Sequence, residues 1–200
     1  MGRRPIPHSP KRVSRQPWIV ALSPNHSGPR AQAADGVVVH STRGGAAYGV
    51  EFDATLRWFS NPASQVSAHV VIGRDGRRAQ CVPDEWIAWH AKAWNATHLG
   101  VELEQPTADD DYTDAQYYLL AEWILGMRQR YGFGLDREHS LVGHEEIDSV
   151  KSDPGEFDWG RLMGLLRSRA EMSEAVAEVK RLEESRMAQR RSYRDQHPDG

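Results

Sequence analysis

Apolar and polar positions alternate between two rhythms along this chain. Val37, Val38 and Val39 form a β-branched run after Asp35-Gly36, which predicts a buried central strand ending at His40. Asp53 to Phe59 has a cap-like aspartate and apolar spacing for a short helix, stopped by Asn61-Pro62. Val66 to Ile72 and Arg77 to Val82 flank Asp75-Gly76, a dipeptide that tolerates positive φ, so the two runs read as a hairpin. Leu99 to Leu103 gives another strand. Thr113 and Gln116 match a capping box, after which Tyr117, Leu120, Ile124 and Met127 recur at helical spacing until Gly132 and Gly134. Asp158 opens a further helix through Leu166, and residues 171–190 continue with a charged, Ala- and Glu-rich helical composition. Strands mixed with helices and no internal repeat predict one α/β domain with flexible ends.

The terminal segments differ from this centre. Residues 1–34 are rich in Pro, Ser, Arg and Asn, and read as an irregular lead-in with one short strand at Trp18 to Leu22. Residues 1–30 carry six basic side chains and no acidic one, while 171–200 carry six bases and seven acids, leaving about −8 on the segment between them. An acidic centre does not favour nucleic acid as a partner. The expected organisation is a basic lead-in over 1–34, a catalytic domain over 35–168 and a charged helical or disordered tail over 169–200.

No apolar run approaches the roughly 20 residues a membrane helix requires, so no membrane insertion is expected. The basic start lacks the apolar segment of a secretory signal, which predicts synthesis in the cytoplasm, as a monomer. Cys81 is the single cysteine, so no intramolecular disulfide can form, and it reads as a small buried hydrophobe.

Three residues stand out chemically: His40 at a strand end, His144 in Val-Gly-His-Glu-Glu-Ile-Asp, and Asp153 in Lys-Ser-Asp-Pro-Gly. Two imidazoles and a carboxylate form a common catalytic zinc set that leaves a fourth position for water. Taken singly, any one of the nine histidines reads as a surface or core residue.

The order of motifs is more specific. Val-Val-Val-His-Ser-Thr, Val-Ser-Ala-His-Val-Val-Ile-Gly-Arg-Asp-Gly, Ala-Trp-His-Ala, Leu-Gly-Val-Glu-Leu-Glu, Tyr-Thr-Asp-Ala-Gln-Tyr, Gly-His-Glu-Glu-Ile-Asp and Lys-Ser-Asp-Pro-Gly follow one another from about Asp35 to Leu166. In this the chain resembles the type 2 N-acetylmuramoyl-L-alanine amidases, a family of phage endolysins, muropeptide-recycling amidases and peptidoglycan-recognition proteins. The resemblance implies a central mixed β-sheet flanked by helices and a Zn2+ held by His40, His144 and Asp153. It also implies hydrolysis of the amide between the lactyl group and L-alanine in peptidoglycan or muropeptides.

The resemblance further implies that Glu102 acts as general base and then acid, and that Lys151 stabilises the oxyanion. Alternation alone puts Glu102 and Glu104 on one sheet face and does not choose between them. Where many relatives have a cleft tyrosine this chain has Ala68, which increases the burden on Glu102. Trp89 and His90 fall where the family places a cleft wall and are expected to bind substrate, whereas Trp58, Trp123 and Trp159 are expected to serve packing. His69 and His139 are expected to be structural. The basic lead-in tips the expected role toward a bacteriolytic endolysin, with a cytoplasmic recycling amidase or a non-catalytic peptidoglycan receptor as alternatives. A zinc peptidase fits less well, because His144-Glu145-Glu146-Ile147-Asp148 lacks the second histidine of the helical peptidase motif.

Overall fold

A computed structural model describes residues 17–45 and 49–196, with side chains to residue 192. The chain divides into two compact units, one ending at Asp158 and one beginning at Trp159.

The first unit is built on a six-stranded sheet. In chain order its strands are β1 (Ile19–Val20), β3 (Gly36–Ser41), β4 (Val70–Ile72), β5 (Arg78–Gln80), β7 (His98–Leu103) and β8 (Leu141–Gly143), arranged in space as β1-β5-β4-β7-β3-β8. The β4–β5 pair is antiparallel and every other pairing is parallel, so the sheet is mixed as expected. All six residues of β3 are buried, which is why its valines run without polar interruption between neighbours on both edges.

Helices cover the sheet. Helix α1 (Val50–Ser60) packs Phe52 and Phe59 against Ala68, Val71, Ala79 and Cys81. It begins at Gly49, so Asp53 lies inside its first turn and is not the cap that the sequence pattern predicts. The capping carboxylate comes from far away: Glu104, fully buried, accepts hydrogen bonds from the backbone N–H groups of Gly49, Phe52 and Arg74. A carboxylate at a helix N-terminus satisfies donors that have no partner within the helix and complements the helix dipole. Helix α2 (Asp114–Tyr131) starts with the expected Thr113/Gln116 capping box, ends at Gly132 in the left-handed conformation, and buries Leu119, Leu120, Trp123 and Ile124.

The hairpin at Asp75-Gly76 forms, but its strands are shorter than the apolar runs, because residues 66–69 precede the pairing. The segment 17–34 is less irregular than its composition predicts. Within it β2 (His26–Pro29) pairs antiparallel with β6 (Trp86–Ala88) in a separate two-stranded sheet, and buried Ser23 and Asn25 hydrogen-bond to the Phe59 carbonyl. The remainder of the basic lead-in, residues 1–16, lies outside the described residues. Cys81 is fully buried, and burial pushes its thiol up to about 12, as suits an inert core residue.

The second unit is one helix, α4 (Trp159–Gln196), in place of the two helical stretches read from the sequence. Its residues 171–192 are exposed. Among the described residues no helix is long and apolar enough to cross a membrane.

Candidate active site

Three parallel strands deliver the chemistry to one edge of the sheet. β3 carries His40 near its C-terminal end, β7 carries Glu102, and β8 runs directly into α3 (His144–Ile147), whose first residue is His144. This is where open α/β sheets place their ligands, because the diverging connections after the strands leave a crevice. Asp153 arrives from the loop after α3. That loop is fastened at several points: the Glu145 backbone N–H donates to the Asp153 carbonyl, the Tyr112 hydroxyl to the Pro154 carbonyl, the Gly155 N–H to Glu145 and Arg43 to Ser152.

The result is a tight cluster. Nδ1 of His40 lies 3.0 Å from Nδ1 of His144 and 3.2 Å from Oδ2 of Asp153, and Nδ1 of His144 lies 3.1 Å from the same oxygen. A tetrahedral ion with bonds of about 2.0–2.1 Å separates its donor atoms by roughly 3.3–3.4 Å, so the three groups are spaced as ligands of such an ion would be. Their donor set, two neutral imidazole nitrogens and one carboxylate oxygen, suits zinc. The three can hold a metal ion.

Electrostatics fit the same description. Burial lowers the pKa of His40 against the opposing pull of the adjacent Asp153, which favours a neutral imidazole. Burial alone would raise the Asp153 carboxyl, but the closeness of the His144 and His40 rings holds it well below the usual carboxylate range.

The cluster forms the base of a cleft of about 650 Å3 whose walls include Arg43, Trp58, Trp89, Glu102 and Lys151. Glu102 has a buried Oε2 without a hydrogen-bond partner among the described residues. Burial pushes its carboxyl well above the usual range, with repulsion from Asp153 adding and the Lys151 ammonium opposing. A carboxyl so placed can exchange a proton with a group bound in the cleft. Glu104 has no share in the cleft, since its Oε1 is occupied at the start of α1 and its Oε2 by the Arg74 N–H in the turn after β4. Three-dimensional packing thus separates two glutamates that alternation leaves equivalent.

Of the other residues singled out in the sequence, Trp89 and His90 line the cleft, and Trp89 Nε1 donates to Ser27. Trp58, expected to serve packing, is 54% exposed on the cleft wall, because the buried stripe of α1 runs through Phe52, Thr55 and Phe59. Trp94 packs on Val38, Ala91 and Val142, and Trp123 is buried. Ala68 belongs to the core under α1. His69 is structural: its Nδ1 accepts from the Gly100 N–H and its Nε2 faces the Trp86 carbonyl. Arg43, with φ of 46°, joins the cleft wall without having drawn attention in the sequence; its backbone angle and its bond to Ser152 emerge only in the fold.

A mixed α/β sheet with a His-His-Asp cluster able to hold a metal ion and a buried glutamate in one open cleft defines a class of α/β folds with a candidate metal site. Within that class, the family model described as N-acetylmuramoyl-L-alanine amidase matches residues 30–156, and the chain belongs to this family. It is 38% identical over 112 residues to the 1,6-anhydro-N-acetylmuramyl-L-alanine amidase AmpD of Citrobacter freundii, covering 51% of this chain and 58% of that protein. The chain therefore spans less than two thirds of that relative's length. A crystal structure of a selenomethionine AmpD derivative superposes with a TM-score of 0.64 at 30% identity, covering 74% of this chain and 94% of that one. The AmiD amidase of E. coli, in complex with anhydro-N-acetylmuramic acid-L-Ala-D-gamma-Glu-L-Lys, superposes with a TM-score of 0.55 at 26% identity over 66% of this chain and 57% of that one.

Proposed function

We propose that this protein is a zinc-dependent N-acetylmuramoyl-L-alanine amidase that acts on soluble 1,6-anhydro-muropeptides, hydrolysing the amide between the lactyl group and L-alanine. The observation that carries the reading is the convergence of His40, His144 and Asp153 to mutual spacings of 3.0–3.2 Å beside a buried glutamate.

His40, His144 and Asp153 would hold the zinc, which when bound polarises the substrate carbonyl and makes water acidic enough to attack at neutral pH. Glu102 takes the proton from the attacking water and returns it to the leaving nitrogen, a role that its raised pKa fits. Lys151, on the cleft wall two residues before Asp153, stabilises the negative charge that develops on the carbonyl oxygen. Trp89 and Trp58 offer aromatic surface to the sugar ring and peptide stem.

Preference for anhydro-muropeptides over intact wall replaces the lytic role expected from the basic lead-in. It is supported by the relative named for 1,6-anhydro-N-acetylmuramyl-L-alanine amidase activity and by the anhydro-muropeptide bound to the AmiD neighbour. Mass spectrometry of products from defined anhydro-muropeptides and from purified sacculi tests both parts. Release of free anhydro-N-acetylmuramic acid and a stem peptide with alanine at its N-terminus is expected, much faster from the soluble substrate. Cleavage inside the stem would refute the amidase reading, and faster release from sacculi would restore the lytic one.

A further inference from the structure

The edge of His40 turned away from the three-atom cluster is also engaged. Its Nε2 lies 3.0 Å from Nδ1 of His90, and Nε2 of His90 lies 3.2 Å from the carbonyl oxygen of His98. The His40 and His90 rings meet edge to face at 87°. A carbonyl oxygen only accepts, so His90 carries a proton on Nε2. A neutral His90 then has a lone pair on Nδ1, and the N–H within reach of it is that of His40. His40 in this arrangement is protonated on Nε2 and turns an unprotonated Nδ1 toward His144 and Asp153.

We propose that His90 is a positioning residue: braced by the His98 carbonyl, it fixes the Nε2–H tautomer of His40 and so keeps Nδ1 free to ligate the metal ion. The inference rests on the reading of the cluster as a metal centre. It reassigns a residue expected to bind substrate, because both ring nitrogens of His90 are already used inside the protein.

Two further features hold the ring in place. A Cβ added at Gly100 would fall 2.5 Å from Cγ of His90, so the missing side chain on β7 is the space the imidazole occupies. From the next turn, Asn95 Oδ1 accepts the backbone N–H groups of both His90 and Ala91, at 3.0 and 2.6 Å. A ligand histidine whose outer nitrogen is tied to an acceptor is oriented before the ion arrives and is a stronger base toward it.

The test compares wild type, His90→Ala and His90→Gln by zinc competition against a chelator and by 15N–1H NMR of the imidazoles in metal-free protein. His90→Ala should weaken zinc binding about 10–100-fold and remove the preference of His40 for the Nε2–H tautomer. His90→Gln, whose side-chain amide can accept from His40 and donate to the His98 carbonyl, should recover most of both. Zinc affinity within about twofold of wild type in His90→Ala, or a raised KM with unchanged metal affinity, would overturn the proposal and return His90 to substrate binding. A wild type that binds no zinc refutes the metal-centre reading instead. The NMR readout then decides the relay alone, and an Nδ1–H tautomer of His40 in wild type refutes it. Should His90→Ala fail to fold, the wild-type tautomer and His90→Gln carry the same decision.

Discussion

His40 and Glu102 are register partners on adjacent parallel strands, so their side chains leave the same face of the sheet from neighbouring positions. The strand pairing itself therefore sets the separation of the imidazole proposed to ligate the metal and the carboxyl proposed to transfer protons, independently of any loop. Glu102→Gln should lower kcat by about 10²–10⁴ while zinc stoichiometry and the melting temperature stay near wild type. Steady-state kinetics beside metal analysis check this, and retained activity would remove Glu102 from the mechanism.

Glu104→Gln should do the opposite. Its carboxylate serves two backbone N–H donors at the start of α1 and a third, that of Arg74, in the turn between β4 and β5, and an amide nitrogen turned toward them leaves buried donors unpaired. A loss of about 1–3 kcal/mol in urea unfolding is expected, with kcat nearly unchanged in the protein that remains folded.

Metal removal should be visible in stability as well as activity. With free zinc at about 100 times Kd, binding adds roughly 2.7 kcal/mol, which for a chain of this size is a melting shift of about 5–10 °C. Calorimetry with and without a chelator measures it, and Asp153→Ala should abolish the difference.

His69 predicts a pH dependence. Burial lowers its pKa to about 3, against an unfolded value near 6.5, so between these limits the unfolded chain binds a proton that the native state refuses. The stability that neutral His69 contributes is complete above about pH 6.5 and is lost as pH falls toward 3. His69→Gln should flatten the slope of unfolding free energy against pH in that window by up to about one proton. An unchanged slope would show that His69 titrates normally in the native state.

Asp136 accepts hydrogen bonds from the backbone N–H groups of His139 and Ser140 and from the Ser140 hydroxyl, at the turn leading into β8. The first two bonds hold its carboxyl down to about 2. Because the side chain is exposed, Asp136→Ala should cost only about 0.5–1.5 kcal/mol. The cost should be present above about pH 4 and vanish as the wild-type carboxyl protonates toward pH 2. Chemical denaturation at pH 7 and pH 2.5 separates the two conditions.

The parts of this fold that depend on local pattern were legible in the sequence. The valines before His40, the Asp75-Gly76 turn and the Thr113/Gln116 cap each carry their signal within a few residues, and each forms where expected. β2 and β6 were not legible, because strands of four and three residues, one of them containing Gly28 and Pro29, are defined only by their pairing with each other. Helix α1 misled for a related reason: Asp53 looks like a cap, but the cap is Glu104, about fifty residues later. The spacing of His40, His144 and Asp153 could be expected only through the family resemblance, since 104 and 113 positions separate His40 from its two partners. Arg43 and the tie between His90 and the His98 carbonyl left no sequence signal at all, since each arises from backbone placement.

Since β3, β7 and β8 end at a common edge, the protein divides its labour between girders and fingers. The girders are interior valines and leucines that answer only to packing. The fingers, Thr42, Gly44 and Val150 among them, line the cleft from the connections after the strands, outside the interior of the sheet. Altering them offers a route to change what the cleft admits while the His40, His144 and Asp153 cluster keeps its shape.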